Sequence, residues 1–132
     1  MTNDLYTAVV TSSPGSARSD DGALDLDVSE PTSLDGAGRG TNPEQLMAAA
    51  LGSCLMESLR IAASTTGGST EGARVETRVT LAKGDPGYTA RYALSVTLPD
   101  AGTDASAVLE QALALCPFTK TLDASALDVQ LA

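Results

Sequence analysis

Apolar and polar residues alternate along several stretches of this chain and follow a helical period in two others. Ala23-Leu-Asp-Leu-Asp-Val28 alternates cleanly, and Leu5 to Thr11 is rich in β-branched and apolar residues. These predict two strands joined through residues 12–22, with Pro14, Gly15 and Arg18 at the tip of a hairpin. Residues 29–40 are loop by composition. Thr41-Asn-Pro-Glu44 then opens a helix, with proline at an early position and a Thr-x-x-Glu capping pattern. Leu46, Met47, Ala50, Leu51, Cys54, Leu55, Ser58 and Leu59 recur on overlapping faces, which predicts a central helix to about Ser64, buried on most sides.

Val75, Thr77, Val79 and Leu81 alternate with Glu76, Arg78 and Thr80, and Tyr88 to Leu98 alternates again after the Gly84-Asp-Pro-Gly87 turn. This is a second hairpin. Val108, Leu109, Ala112, Leu113 and Cys116 have helical spacing over Thr103 to Cys116, with Pro117 as the stop, and Leu127 to Leu131 is a short final strand. The order β-β-α-β-β-α-β, without a repeated βαβ unit, predicts an α+β fold.

The chain has 132 residues, which suits a single domain over 1–132. Aromatic residues make up only 3% and tryptophan is absent, so Leu, Val, Ala and Met must build the core, and oligomerisation would add burial. A net charge of -9 repels phosphate backbones and anionic lipid surfaces, so neither nucleic acid nor a membrane is expected as a partner. The N-terminus lacks a basic segment followed by an apolar one, and the longest apolar run is broken by Gly52, Ser53 and Glu57. The expected location is therefore cytoplasmic. In a reducing cytosol, two lone cysteines are free thiols or a redox pair rather than a standing structural bridge.

Those cysteines are Cys54 and Cys116, and the chain has no histidine. Cys-His hydrolases and ordinary zinc sites are thereby excluded, and no metal or cofactor is expected. A reactive Cys54 would need arginine or a helix N-terminus to favour its thiolate. Each candidate also has a plain structural reading. Cys54 and Cys116 could be small core residues, Glu44 the acid of a helix cap and Arg18 a solvated loop charge.

The joint pattern is more specific. Thr41-Asn-Pro-Glu-Gln-Leu46, then Cys54, then Cys116-Pro-Phe-Thr119, resembles the organic hydroperoxide resistance and osmotically inducible protein family of thiol peroxidases. Leu5-Tyr-Thr-Ala8, Arg18 and Ser19-Asp-Asp-Gly-Ala-Leu-Asp-Leu26 are similar to the opening hairpin of the organic hydroperoxide resistance branch. Lys120-Thr-Leu122 is closer to the osmotically inducible branch, and Leu51 and Leu55 stand where aromatics are common.

The resemblance implies antiparallel sheets around a buried central helix, in an intertwined homodimer with sites at the subunit interface. It implies Cys54 as the peroxidatic cysteine, Cys116 as the resolving one, and an Arg18–Glu44 pair that positions and activates Cys54. The implied substrate is an organic hydroperoxide and the implied reductant a dihydrolipoyl protein. The alternatives are a peroxidase of the osmotically inducible branch with a broader peroxide range, or a non-catalytic redox-sensing or binding relative.

Overall fold

The computed structural model describes residues 3–132. The chain divides into two compact units, one ending at Leu46 and the other running from Met47 to Ala132.

The N-terminal unit carries three antiparallel strands, β1 (Val10–Ser13), β2 (Ser16–Ser19) and β3 (Asp25–Asp27), in the order β1-β2-β3. The sequence pattern predicts two strands here, and the structure corrects this to three. Pro14-Gly15 is a complete turn by itself, because proline presets the first central position and Gly15 takes φ 85° at the second. Ser13 therefore pairs directly with Ser16, and Arg18 lies in a strand instead of at a loop tip. A second turn forms at Gly22, where the Asp21 carboxylate accepts from the Ser19 hydroxyl at 2.7 Å and the Ala23 N–H at 2.9 Å. Ala17 is the only buried apolar residue among the described residues of this unit.

Helix α1 (Pro43–Ser64) begins in this unit. Its cap is shifted by one residue from the predicted Thr41–Glu44 pattern. Asn42 Oδ1 accepts the Gln45 N–H at 2.8 Å, and the Thr41 hydroxyl donates to Gln45 Oε1 at 2.8 Å. Pro43 causes the shift, since proline suits the first helical position and so makes Asn42 the cap. Glu44 is released from capping.

The C-terminal unit contains the rest of α1, a sheet of β4 (Arg74–Lys83), β5 (Tyr88–Thr97) and β6 (Leu127–Leu131), and helices α2 (Ala105–Leu115) and α3 (Pro117–Thr121). β4 and β5 form the expected antiparallel hairpin, but β6 joins β5 in parallel, with Leu94 opposite Val129, so this sheet is mixed and not antiparallel throughout as the resemblance implied. Alternation turns Val75, Leu94 and Val96 inward and leaves Arg74, Glu76 and Arg78 outside. Leu51, Leu55, Leu59 and Ala62 of α1 make a continuous stripe against Leu94, Val96, Val108, Leu109 and Ala112. Complete burial of one such leucine contributes about 1.5–3 kcal/mol.

The expectation that α1 is buried on most sides does not hold in the described residues, because Ala49 and Ser53 are exposed and Ala48, Gly52 and Met56 are half-buried. Small side chains there leave a groove of about 540 Å³ against Val75 and Thr77. By length and composition alone α1, with 22 residues, is long and apolar enough to cross a membrane. Its buried stripe explains that composition as that of a core helix.

Candidate active site

Cys54 lies midway along α1, one position before the buried Leu55, and is itself half-buried. Cys116 follows the last residue of α2 and is fully buried. Pro117 was expected only to stop α2. It also starts α3, so that Cys116 is at once the C-cap of one helix and the N-cap of the next.

The two Sγ atoms are 3.6 Å apart although 62 positions separate them in the chain, and both are free thiols. A disulfide bond measures about 2.05 Å, so a shift of roughly 1.5 Å would join them. Met47, Met56, Tyr92, Leu113 and Leu122 are among the apolar residues packed on the same core.

The two sulfurs differ in electrostatic setting. Burial pushes the Cys54 thiol up, and Cys116 adds to that, against the N–H of Phe118. Burial also opposes ionisation of Cys116, but the hydroxyl and N–H of Thr119, the Cys54 thiol and the Phe118 N–H outweigh it and hold Cys116 below the ordinary thiol value. Thr119 is itself buried and donates its hydroxyl to the Cys116 carbonyl at 3.4 Å. Because the thiols are in contact, they titrate as a pair. From sequence, Phe118 and Thr119 enter only as part of the Cys116-Pro-Phe-Thr119 motif, with no role of their own. Their signal was Pro117 directly after Cys116, which marks a helix start and so aims two N–H groups back at the cysteine.

The other two candidates lie in the N-terminal unit. Arg18 is directly opposite Asp25 in the β2–β3 register, and its Nε and Nη2 both donate to Asp25 Oδ1 at 3.3 Å. Asp25, a polar position of the alternating Ala23–Val28 run, is thus the acidic partner of Arg18. Glu44, in the first turn of α1, forms no ion pair among the described residues. It faces Glu30 instead, and burial together with the Glu44 charge raises the Glu30 carboxyl above the ordinary value. The Val28–Thr41 bridge and the Ser29 N–H bond to the Thr41 carbonyl at 2.9 Å run these two segments side by side. Among the described residues there is no cluster of metal-ligating side chains.

An α+β unit that brings two thiols together at the seam between a core helix and a helix pair defines a dithiol protein. The profile of the OsmC-like protein family matches residues 36–132, and the chain belongs to that family. It is 32% identical over 138 residues to organic hydroperoxide resistance protein-like 2 of Staphylococcus epidermidis, covering 99% of this chain and 96% of the relative. It is 34% identical over 122 residues to the organic hydroperoxide resistance protein OhrB of Bacillus subtilis, covering 88% and 89%. The crystal structure of that OhrB superposes with a TM-score of 0.77 at 32% identity over 97% of this chain and 98% of the neighbour. An organic hydroperoxide resistance protein OsmC from Legionella pneumophila gives 0.81 at 29% identity over 98% and 97%. The resemblance read from sequence and the α+β fold it implied are both borne out.

Proposed function

We propose that this protein is a cysteine-based peroxidase that reduces organic hydroperoxides to alcohols. The observation that carries the reading is the 3.6 Å separation of Cys54 and Cys116, because only neighbouring thiols can convert a sulfenic acid into a disulfide within one chain. The Cys54 thiolate attacks the terminal peroxide oxygen, the O–O bond breaks, and the alkoxide takes a proton and leaves as alcohol. Cys54 is then a sulfenic acid. The Cys116 sulfur displaces its hydroxyl as water and the disulfide forms, so one peroxide is reduced by two electrons from two thiols. An external dithiol, read here as a dihydrolipoyl protein, returns the pair to the reduced state by thiol–disulfide exchange.

Access and acidity favour different sulfurs. Cys116 is the more readily ionised, yet it is fully buried, whereas Cys54 is half-buried. An unreachable thiolate cannot attack, so the greater exposure of Cys54 supports reading it as the sulfur that meets the peroxide, with Cys116 acting in the second step. Cys54 then needs a cation to lower its pKa, and in this reading Arg18 fills that role after exchanging Asp25 for Glu44, the carboxylate that the family pattern implies as its partner. A homodimer would supply cover for Leu5, Tyr6, Val9 and Val10, which are exposed in the described N-terminal unit. Alkyl hydroperoxides are preferred over hydrogen peroxide, since each methylene buried against an apolar wall adds about 0.8 kcal/mol.

The test follows peroxide loss and intact mass after adding one equivalent of tert-butyl hydroperoxide or hydrogen peroxide to reduced protein. Loss of two hydrogens, faster with the organic peroxide and absent in Cys54→Ser, is the expected result. Cys116→Ser should still react once and stop at a sulfenic acid. Thiols that stay reduced for minutes rule out the peroxidase, and reaction of Cys54→Ser at the normal rate would exchange the two roles.

A further inference from the structure

The ion pair of Arg18 has an unusual form for a group assigned to sulfur chemistry. Both of its nitrogens share one oxygen, Asp25 Oδ1, at 3.3 Å, leaving Oδ2 out of the contact. Charge-assisted bonds of a well-seated arginine are about 2.7–2.9 Å and use both carboxylate oxygens. The side chains are 69% and 58% exposed, so water and salt screen the pair. Asp27, two positions further along β3, lies on the same face of the sheet and opposes Ser16. Arg18 is therefore held loosely, on an acidic solvent face, while Glu44 in the same unit faces the Glu30 carboxyl.

We infer that Asp25 is a positioning residue that competes for Arg18, so that the sulfur chemistry proceeds from the fraction of molecules in which Arg18 has left Asp25. The inference rests on the peroxidase reading above and adds to it a residue that restrains the reaction. A loose surface clasp suits the role because it exchanges at little cost. If the clasp has the usual strength of an exposed ion pair, removing it raises the competent fraction about 2- to 6-fold. Asp25 opposes Arg18 through the strand register, so a substitution that keeps the backbone but removes the charge isolates the effect.

The experiment measures the single-turnover rate of Cys54 oxidation by tert-butyl hydroperoxide in the full chain. Asp25→Asn should be about 2- to 6-fold faster than wild type at low ionic strength. Their ratio should fall toward one as salt screens the pair. Asp25→Glu, which keeps a carboxylate, should return close to the wild-type rate. In an Arg18→Ala background, Asp25→Asn should change nothing, which a merely structural role for Asp25 would not produce. An Asp25→Asn rate equal to or below wild type overturns the inference, as does an acceleration that survives without Arg18. If Arg18→Ala is severely slow while Asp25→Asn is unchanged, only this inference fails. If Arg18→Ala reacts at the wild-type rate, the activating role of Arg18 fails and the inference falls with it.

Discussion

Oxidation of the Cys54–Cys116 pair should stabilise the fold by an amount that the topology allows to be worked out. The bond would close a loop of 62 positions, from the middle of α1 through β4, β5 and α2. In the chain-entropy account, cross-linking a loop of this length removes roughly 14 cal/mol/K from the unfolded ensemble, or about 4 kcal/mol at room temperature. A chain of 132 residues unfolds with an entropy of about 0.28 kcal/mol/K near its midpoint, so the corresponding rise in Tm is about 15 °C.

That figure is an upper bound, because the sulfurs must close from 3.6 Å and Cys116 sits in a close-packed core that resists movement. A rise of at least about half the bound is expected. The assay compares calorimetric Tm values of protein kept reduced and protein oxidised with one equivalent of hydroperoxide, with intact mass confirming the loss of two hydrogens. Cys116→Ser, which cannot form the bridge, should show no rise. A verified disulfide with a rise below about 5 °C would refute the unfolded-state reasoning. A persistent mass gain of one oxygen instead would refute the geometric reasoning, since it would mean that Cys116 does not intercept the sulfenic acid.

Three further outcomes test the fold and its electrostatics. Leu55→Ala removes a fully buried side chain from the α1 stripe and should cost about 2–5 kcal/mol by urea unfolding, and a loss below about 1 would contradict its core position. Thr77→Val should stabilise by about 1 kcal/mol or more in the same assay, because the Thr77 hydroxyl is buried without a partner, and a loss would show that it is satisfied. Glu30→Gln should raise Tm at neutral pH and leave it unchanged at pH about 3. The sign follows from the raised Glu30 carboxyl, whose favourable neutral form is complete below the unfolded value and is lost as pH rises through the folded one. A Tm difference independent of pH would refute the carboxyl-pair argument.

What the sequence revealed of this molecule follows the range over which each signal acts. Helix α1 and the β4–β5 hairpin were legible because periodicity, Pro43 and the Gly84–Gly87 turn are all local. Strand β2 was not, since Ser16-Ala-Arg-Ser19 offers no alternation of apolar residues and owes its existence to pairing on both sides. The parallel pairing of β6 was equally hidden, because a strand's own residues do not state its neighbour's direction. At the site, Cys54 and Cys116 were recognisable by context, yet 62 positions of separation carry no distance. Arg18 could be named, but Asp25 and Glu44 are chemically equivalent partners on paper, and only strand register places Asp25 opposite it.

The absence of histidine makes the division of labour between the sulfurs intelligible. A Cys-His pair lowers one thiol and leaves no second group to tune. Here the residues around the pair act on Cys116, through Thr119 and the Phe118 N–H, while burial keeps the Cys54 proton in place. The second step of a peroxidase needs that arrangement, because the resolving sulfur must be ready before the sulfenic acid meets another oxidant. Under the peroxidase proposal the first step calls for a cation beside Cys54, and in the C-terminal unit Arg60 and Arg78 are already engaged by Glu57 and Glu76. Under that proposal Arg18 is the cation, and its exposed ion pair with Asp25 can be released without breaking any core contact.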